Sequence, residues 1–175
     1  MPLDALYKCW HIYPRMDKRY YACDLISDIL SGGGSSRLFQ SLVKEQQLFS
    51  NLDCYHFGST DAGLMTIEGK VVKGIDIKEA EKALVKEIKK LQVEGISQAE
   101  LEKVKNKAES AMAFEDMSVM NRASSIAMYE LLGDANLINT ELSNYQMVTA
   151  EEIKEQSRII FDENNCSTMY YLSDN

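Results

Sequence analysis

Two histidines and two prolines are all that the 175 residues contain. The histidine shortage excludes a metal-binding helix, because His11 and His56 stand alone and no H-x-x-E-H can be read anywhere. With so little proline and no low-complexity run there is no candidate linker, and residues 1–175 are expected to form a single domain. No apolar run reaches the ~18 residues of a membrane helix; Leu25 to Leu30 is already broken by Ser27 and Asp28. Cations are the minority, 19 Lys and Arg against 27 Asp and Glu, for a net charge of −8 and a pI of about 4.8. A nucleic-acid or anionic-membrane surface needs a basic patch, so neither partner is expected. The four cysteines, Cys9, Cys23, Cys54 and Cys166, lie far apart without a C-x-x-C, which reads as buried thiols rather than a disulfide framework. The opening MPLDALYKCW lacks the basic stretch and apolar core of a signal peptide. A mature or excised fragment looks the same, so the compartment stays open between cytoplasm and periplasm.

What is present is strongly patterned. Residues 5–13 (ALYKCWHIY) are rich in aromatic and β-branched types and stop at Pro14, which predicts a strand. Asp17 can cap a helix whose apolar stripe is Tyr21, Leu25, Ile29 and Leu30. That helix runs into SGGGSSRLFQ (31–40), where Ser35 or Ser36 starts a shorter one burying Leu38, Phe39 and Leu42. Segments 49–58 and 62–72 read as strands joined by a hairpin through Gly58 to Asp61. Ile77, Ala80, Leu84, Ile88 and Leu91 recur at helical spacing and Gly95 stops the run. Capping boxes at SQAE (97–100) and TAEE (149–152) open two further helices. Between them lie a Met-, Ala- and Leu-rich helix over 118–132 and a short helix near 135–145, and CSTMYYL (166–172) is a last strand. An order of β-α-α-β-β, a helical block and a final strand is not the alternation of a doubly wound sheet. It predicts an α+β, two-layer sandwich: a mainly antiparallel sheet with helices packed on one face.

Candidate chemistry is sparse. Cys9-x-His11 and Cys54-x-His56 each place a Cys and a His on one strand face, and paired strands could assemble a Cys₂His₂ zinc site. Against it, both ligands on a strand point the same way about 7 Å apart, which does not wrap a tetrahedron. Core cysteines and half-buried histidines that happen to alternate are the preferred account. Ser35 and Ser36 resemble a nucleophile elbow, but Arg37 or Leu38 stands where G-x-S-x-G needs its second glycine. GGGSSR at a helix start could cradle a phosphate with Arg37. It matches neither G-x-x-x-x-G-K-[ST] nor G-x-G-x-x-G, and it follows a helix rather than a strand. A structural glycine turn or a cavity-lining loop is preferred, and no catalytic residue or metal ligand is assigned.

YYACDLISDILSGGGSSRLFQSLVKEQQLFSNL, then AGLMTIEGKV, then VEGISQAELEKVKN resembles the C-terminal homologous domain of pitrilysin/insulinase-type zinc peptidases such as the mitochondrial processing peptidase. Its most specific block is Asp24 to Leu48. The resemblance implies half of a two-domain peptidase, in which two homologous halves close around an unfolded peptide. One half carries H-x-x-E-H and holds zinc; the other has lost it and completes the chamber. Lacking H-x-x-E-H, this chain is expected to be the second kind, with zinc in a partner half supplied in cis or in trans. Active members place an arginine and, seven residues later, a tyrosine in a motif like L-R-E-K-Q-G-L-A-Y. The matching positions here hold Val43 and Ser50, a degenerate substrate-contact pair. Gly32, Gly33, Gly34, Ser35 and Ser36 match the family's glycine loop in its short bacterial form, which implies a place lining the chamber. Arg37 is expected to make an ion pair or cap backbone carbonyls. The alternative is a degenerate structural or assembly module of the same fold, as in respiratory-chain core proteins, with no role in proteolysis.

Overall fold

The structure, a computed structural model, describes residues 3–173. Alternation along the first strand decides which way the sheet faces. In β1 (Ala5–Ile12), Leu6, Lys8, Trp10 and Ile12 are buried, whereas Tyr7, Cys9 and His11 reach the other side. The chain then forms α1 (Tyr20–Ser31), a π-helical turn (Phe39–Glu45) and the hairpin β2 (Phe49–Phe57) and β3 (Gly63–Val71). Five helices follow: α2 (Ile77–Glu94), α3 (Gln98–Glu115), α4 (Val119–Leu131), α5 (Glu141–Met147) and α6 (Ala150–Ile160). The last strand is β4 (Cys166–Tyr171). Strand order is β2-β3-β1-β4 with every neighbouring pair antiparallel. This is the α+β two-layer sandwich that the element order implied.

The core is one cluster. Leu6, Trp10, Met65 and Ile67 on the sheet meet Leu25, Ile26 and Leu30 of α1, Leu84 and Leu91 of α2 and Ile153 of α6. Trp10 is closed from above by Phe161, ring edge to face at 4.9 Å. Both capping boxes are formed, Ser97 with Glu100 and Thr149 with Glu152.

Four local expectations change, the simplest being that Phe39, expected on the buried side, is exposed. Asp17 does not cap α1: its carboxylate takes the Arg19 N–H and guanidinium, and α1 starts at Tyr20 without a side-chain cap. The short helix after the glycines widens to a π turn, in which the Gln46 N–H reaches back five residues to the Ser41 carbonyl. Gln47 then adopts φ 52 and turns the chain into β2. The helix expected near 135–145 is divided into a 3-10 turn (Ala135–Asn139) and α5.

Lys8 is a charge buried on the helix-covered face of the sheet. Lys8 donates to Glu81 on α2 at 2.8 Å and to Thr168 on β4 at 2.7 Å, and Tyr170 donates to the other Glu81 oxygen at 2.6 Å. Burial raises the Glu81 carboxyl, but the Lys8 and Tyr170 donors outweigh it and hold it below the usual glutamate range. Because the folded carboxyl is depressed, its contribution is fully present above that range and is lost as pH falls through it. Glu81→Leu leaves the Lys8 ammonium buried alone and is expected to cost about 3 kcal/mol in urea unfolding, and adding Lys8→Met is expected to recover most of that. The gap between wild type and Glu81→Leu is expected to narrow below pH ~4.

Candidate functional site

The glycine corner is held by its own backbone and by cations. The Gly32 N–H closes α1 on the Asp28 carbonyl at 2.7 Å. A Cβ on Gly32 would fall 2.4 Å from that same oxygen, so no side chain fits. Gly33 has φ 112, the left-handed region that favours glycine, while Gly34 needs neither exemption and faces open space. Ser35 is exposed and accepts from Lys103 at 3.0 Å, and Ser36 is buried with its hydroxyl unpartnered. Arg37 grips both oxygens of Glu100 at 2.9 Å and caps the Gly95 carbonyl at 2.9 Å. Lys107 reaches Asp28 at 2.6 Å and the Gly32 carbonyl at 3.3 Å. Arg37 and Lys107 are each paired with a carboxylate, whereas Lys103 meets only the neutral oxygens of Ser35. Val43 is half-buried against the core; Ser50 is exposed beside the bulge in β2 and donates to the Lys70 carbonyl at 3.2 Å.

The four Cys-x-His residues do not meet. Cys9 and His11 point to the uncovered face of the sheet, and Cys54 and His56 to the helix-covered face, with β3 between the two strands. They do not fit a resident zinc, and among the described residues no group of three or more His, Cys, Asp or Glu is placed to hold a metal. Burial pushes the Cys23 thiol up to about 12 and raises that of Cys54 as well, so neither offers a thiolate nucleophile.

That uncovered face carries apolar groups across all four strands. Register aligns His11 with Leu64 and Leu64 with Phe57, and Tyr7 with Met169. Phe57 is 62% exposed, Met169 59% and Tyr171 56%. Tyr55 stands edge-on to Phe57 at 5.4 Å and donates to Glu68 at 3.1 Å.

A polar network, invisible to the sequence reading, ties the opposite layer together. Arg15 pairs with Glu141, donates to the Tyr129 hydroxyl at 3.2 Å and lies 4.6 Å over the Tyr20 ring. Tyr21 donates to the other Glu141 oxygen at 2.9 Å and accepts from Asn144 at 3.0 Å. Alongside, Tyr145 donates to Asp24, His56 Nδ1 sits 3.4 Å from Asp24, and His56 Nε2 is 2.6 Å from the Tyr20 hydroxyl. Burial raises the Asp24 carboxyl and pushes the Tyr20 hydroxyl to about 12. Asp24, Tyr129 and Tyr145 border a cleft of about 700 Å³ between α1, α3, α4 and α5. Through His56, Asp24, Tyr20 and Tyr145 the network braces α1 against β2 and α5. The one local clue was Tyr20, Tyr21 and Asp24 on the flank of α1; their partners lie 32 to 123 residues away.

The comparisons agree with this geometry. The family model described as the peptidase M16 inactive domain matches residues 1–108. A zinc protease of Bacillus subtilis, the uncharacterized YmxG, is 24% identical over 147 residues, which is 83% of this chain and 36% of YmxG. The chain therefore spans about a third of that relative's length. A protease from Helicobacter pylori superposes with a TM-score of 0.92 at 20% identity, over 99% of this chain and 42% of that one. An inactive peptidase domain from Bordetella parapertussis gives 0.90 at 18% identity, over 99% and 92% of the two chains. At these identities the two structures speak for the fold alone.

Arg15→Leu strands the Glu141 carboxylate, and the expected cost is about 3 kcal/mol. Arg15 and Tyr129 join α4 to the domain, so amide exchange is expected to rise in α4 and α5 before β1 and α1. Hydrogen-exchange mass spectrometry reads that order, and uniform protection across α4 and α5 in the variant would count against the network as their anchor.

Proposed function

This chain belongs to the peptidase M16 inactive-domain family, and from that membership we propose that it serves as the non-catalytic half of a zinc metallopeptidase, forming part of the substrate chamber and a surface on which an H-x-x-E-H-bearing half pairs. The carrying observation is the uncovered sheet face. A sandwich with one face of its sheet left open shows aromatic and thioether groups (Phe57, Tyr171, Met169) beside hydrogen-bonding ones (Glu68, Lys70). Such a mixed face grips an unfolded peptide with little regard to sequence, because apolar side chains find area and backbone groups find partners. Zinc and the water it activates belong to the partner half in this reading.

The glycine corner enters as a chamber lining. Gly33, Gly34 and Ser35 expose backbone and a hydroxyl, while Gly32 and Ser36 hold the turn. The structural-module alternative draws support from Val43, which packs into the core, and from Ser50, whose hydroxyl bonds its own sheet. Neither supplies the reach of an arginine or a tyrosine.

Incubated with an unstructured peptide, the purified chain is expected to cleave nothing; chelator-sensitive cleavage by the chain alone would overturn the reading. Mixed with its zinc-bearing half, it is expected to support turnover, and Phe57→Asp is expected to lower kcat/KM roughly tenfold, about 1.4 kcal/mol, at unchanged Tm. Turnover by the zinc-bearing half that is the same with and without this chain favours the structural module instead.

A further inference from the structure

A hollow of about 290 Å³ opens between α2 and the edge strand β4, and this chain supplies all of its walls. Register explains why it is there. Lys8 and Trp10 on β1 stand opposite Thr168 and Cys166 on β4, and all four border the hollow on the helix-covered side. Two residues on, Tyr170 spans the gap to Glu81 on α2, whereas Thr168 and Cys166 are short and leave it open. Helical spacing puts Glu81, Val85, Ile88 and Gln92 on the flank of α2 that faces them. Phe161 closes the far end, edge-on to Trp10 at 4.9 Å, and its carbonyl accepts from Gln92 at 3.3 Å. Inside stands a donor that the fold does not use up. Lys8 is 7% exposed, and its ammonium gives one N–H to Glu81 and one to Thr168. An ammonium carries three, and among the described residues the third has no acceptor. A buried donor left without an acceptor costs free energy that a ligand oxygen recovers.

We propose that this hollow binds a small aromatic carboxylate. The ring enters between Trp10 and Phe161 on one side and Val85 and Ile88 on the other, and a carboxylate oxygen accepts the third Lys8 N–H. The volume lies at the lower end of the range for ligand pockets and suits one ring with a short tail. The sign of the charge follows from the surroundings. In a chain of net −8, the mouth is cationic: Lys82, Lys86 and Lys89 line an adjoining hollow that shares Glu81 and Val85 with this one. Lys82 and Lys86 pair with no carboxylate among the described residues, and Lys89 meets only the exposed Glu163, at 3.5 Å. The one carboxylate inside, Glu81, is already answered by Lys8, by Tyr170 and by Lys78 at 3.7 Å. An amine would meet the Lys8 ammonium as a like charge, and an uncharged ligand would gain nothing from the mouth. The hollow lies on the helix-covered side of the sheet, and the proposal does not depend on pairing with a zinc half.

Trp10 is the only tryptophan in the chain, so its emission reports on this hollow. Titration of the whole chain with 3-phenylpropionate is expected to shift that emission with half-saturation at about 1 mM. Its uncharged counterpart 3-phenylpropanol, of the same size, is expected to bind about tenfold more weakly. The acid is also expected to slow alkylation of Cys166 several-fold, while Cys9, on the uncovered face, reacts as before. Val85→Phe, at a half-buried position, fills the hollow and is expected to abolish the response at unchanged Tm. Lys8→Met combined with Glu81→Leu removes the donor without stranding a charge, and is expected to erase most of the preference for the acid. An emission that ignores the acid, equal affinity for acid and alcohol, or Cys9 protected as strongly as Cys166 overturns the proposal. A response that survives Val85→Phe, or a preference unchanged in the double variant, does the same. So does a response shown by this chain and absent from a longer polypeptide that contains it, which assigns the hollow to the rest of that polypeptide.

Discussion

Strand β1 lies between the β2–β3 hairpin and the last strand of the chain, and the layout of the domain follows from that placement. It pairs with β3 from Ala5↔Lys70 to Ile12↔Gly63 and with β4 from Ala5↔Tyr171 to Trp10↔Cys166. Both neighbours are antiparallel, so side chains alternate in step across the sheet and one set of residues must be apolar on every strand. Leu6, Trp10, Met65 and Ile67 are that set, and α1, α2 and α6 lie over it. Lys8 is the exception inside, and it is tolerated because β4 brings Thr168 and α2 brings Glu81 within hydrogen-bond reach. A buried charge with its partner and a second acceptor ties the two ends of the chain and α2 to one register.

Much of this was legible along the sequence. Alternation and turn residues marked all four strands, and the capping boxes marked the starts of α3 and α6, because those signals sit within a few residues of their cause. Arg37 was legible as an ion pair and carbonyl cap, and Gly32 and Gly33 as a turn. Asp17 was misleading because a carboxylate near a helix start has more than one local donor, and the Arg19 N–H and guanidinium are nearer than the helix amides. The order of the strands, and hence the separation of Cys9 and His11 from Cys54 and His56, could not be read from spacing. Period two says that a Cys and a His share a face; only pairing says which one.

α4 shows the same limit more sharply. Its periodicity is that of a good amphipathic helix, and the ordinary inference turns the apolar side inward. Here Tyr129 decides otherwise, because its hydroxyl meets Arg15, and Arg15 is fixed by Glu141 from α5. A hydrogen bond to a charged group is worth more than a typical neutral one, and the polar side of α4 is therefore the side that docks. The cost is an apolar row left facing water. The same network consumes groups that would otherwise suggest catalysis: Asp24, His56, Tyr20 and Tyr145 satisfy one another.

Two groups of apolar side chains stay exposed, one on the uncovered sheet face and one along α4. The uncovered sheet is broad and mixes aromatic rings with hydrogen-bonding groups. The α4 row is narrow, nearly free of charge and patterned with alanines between larger residues.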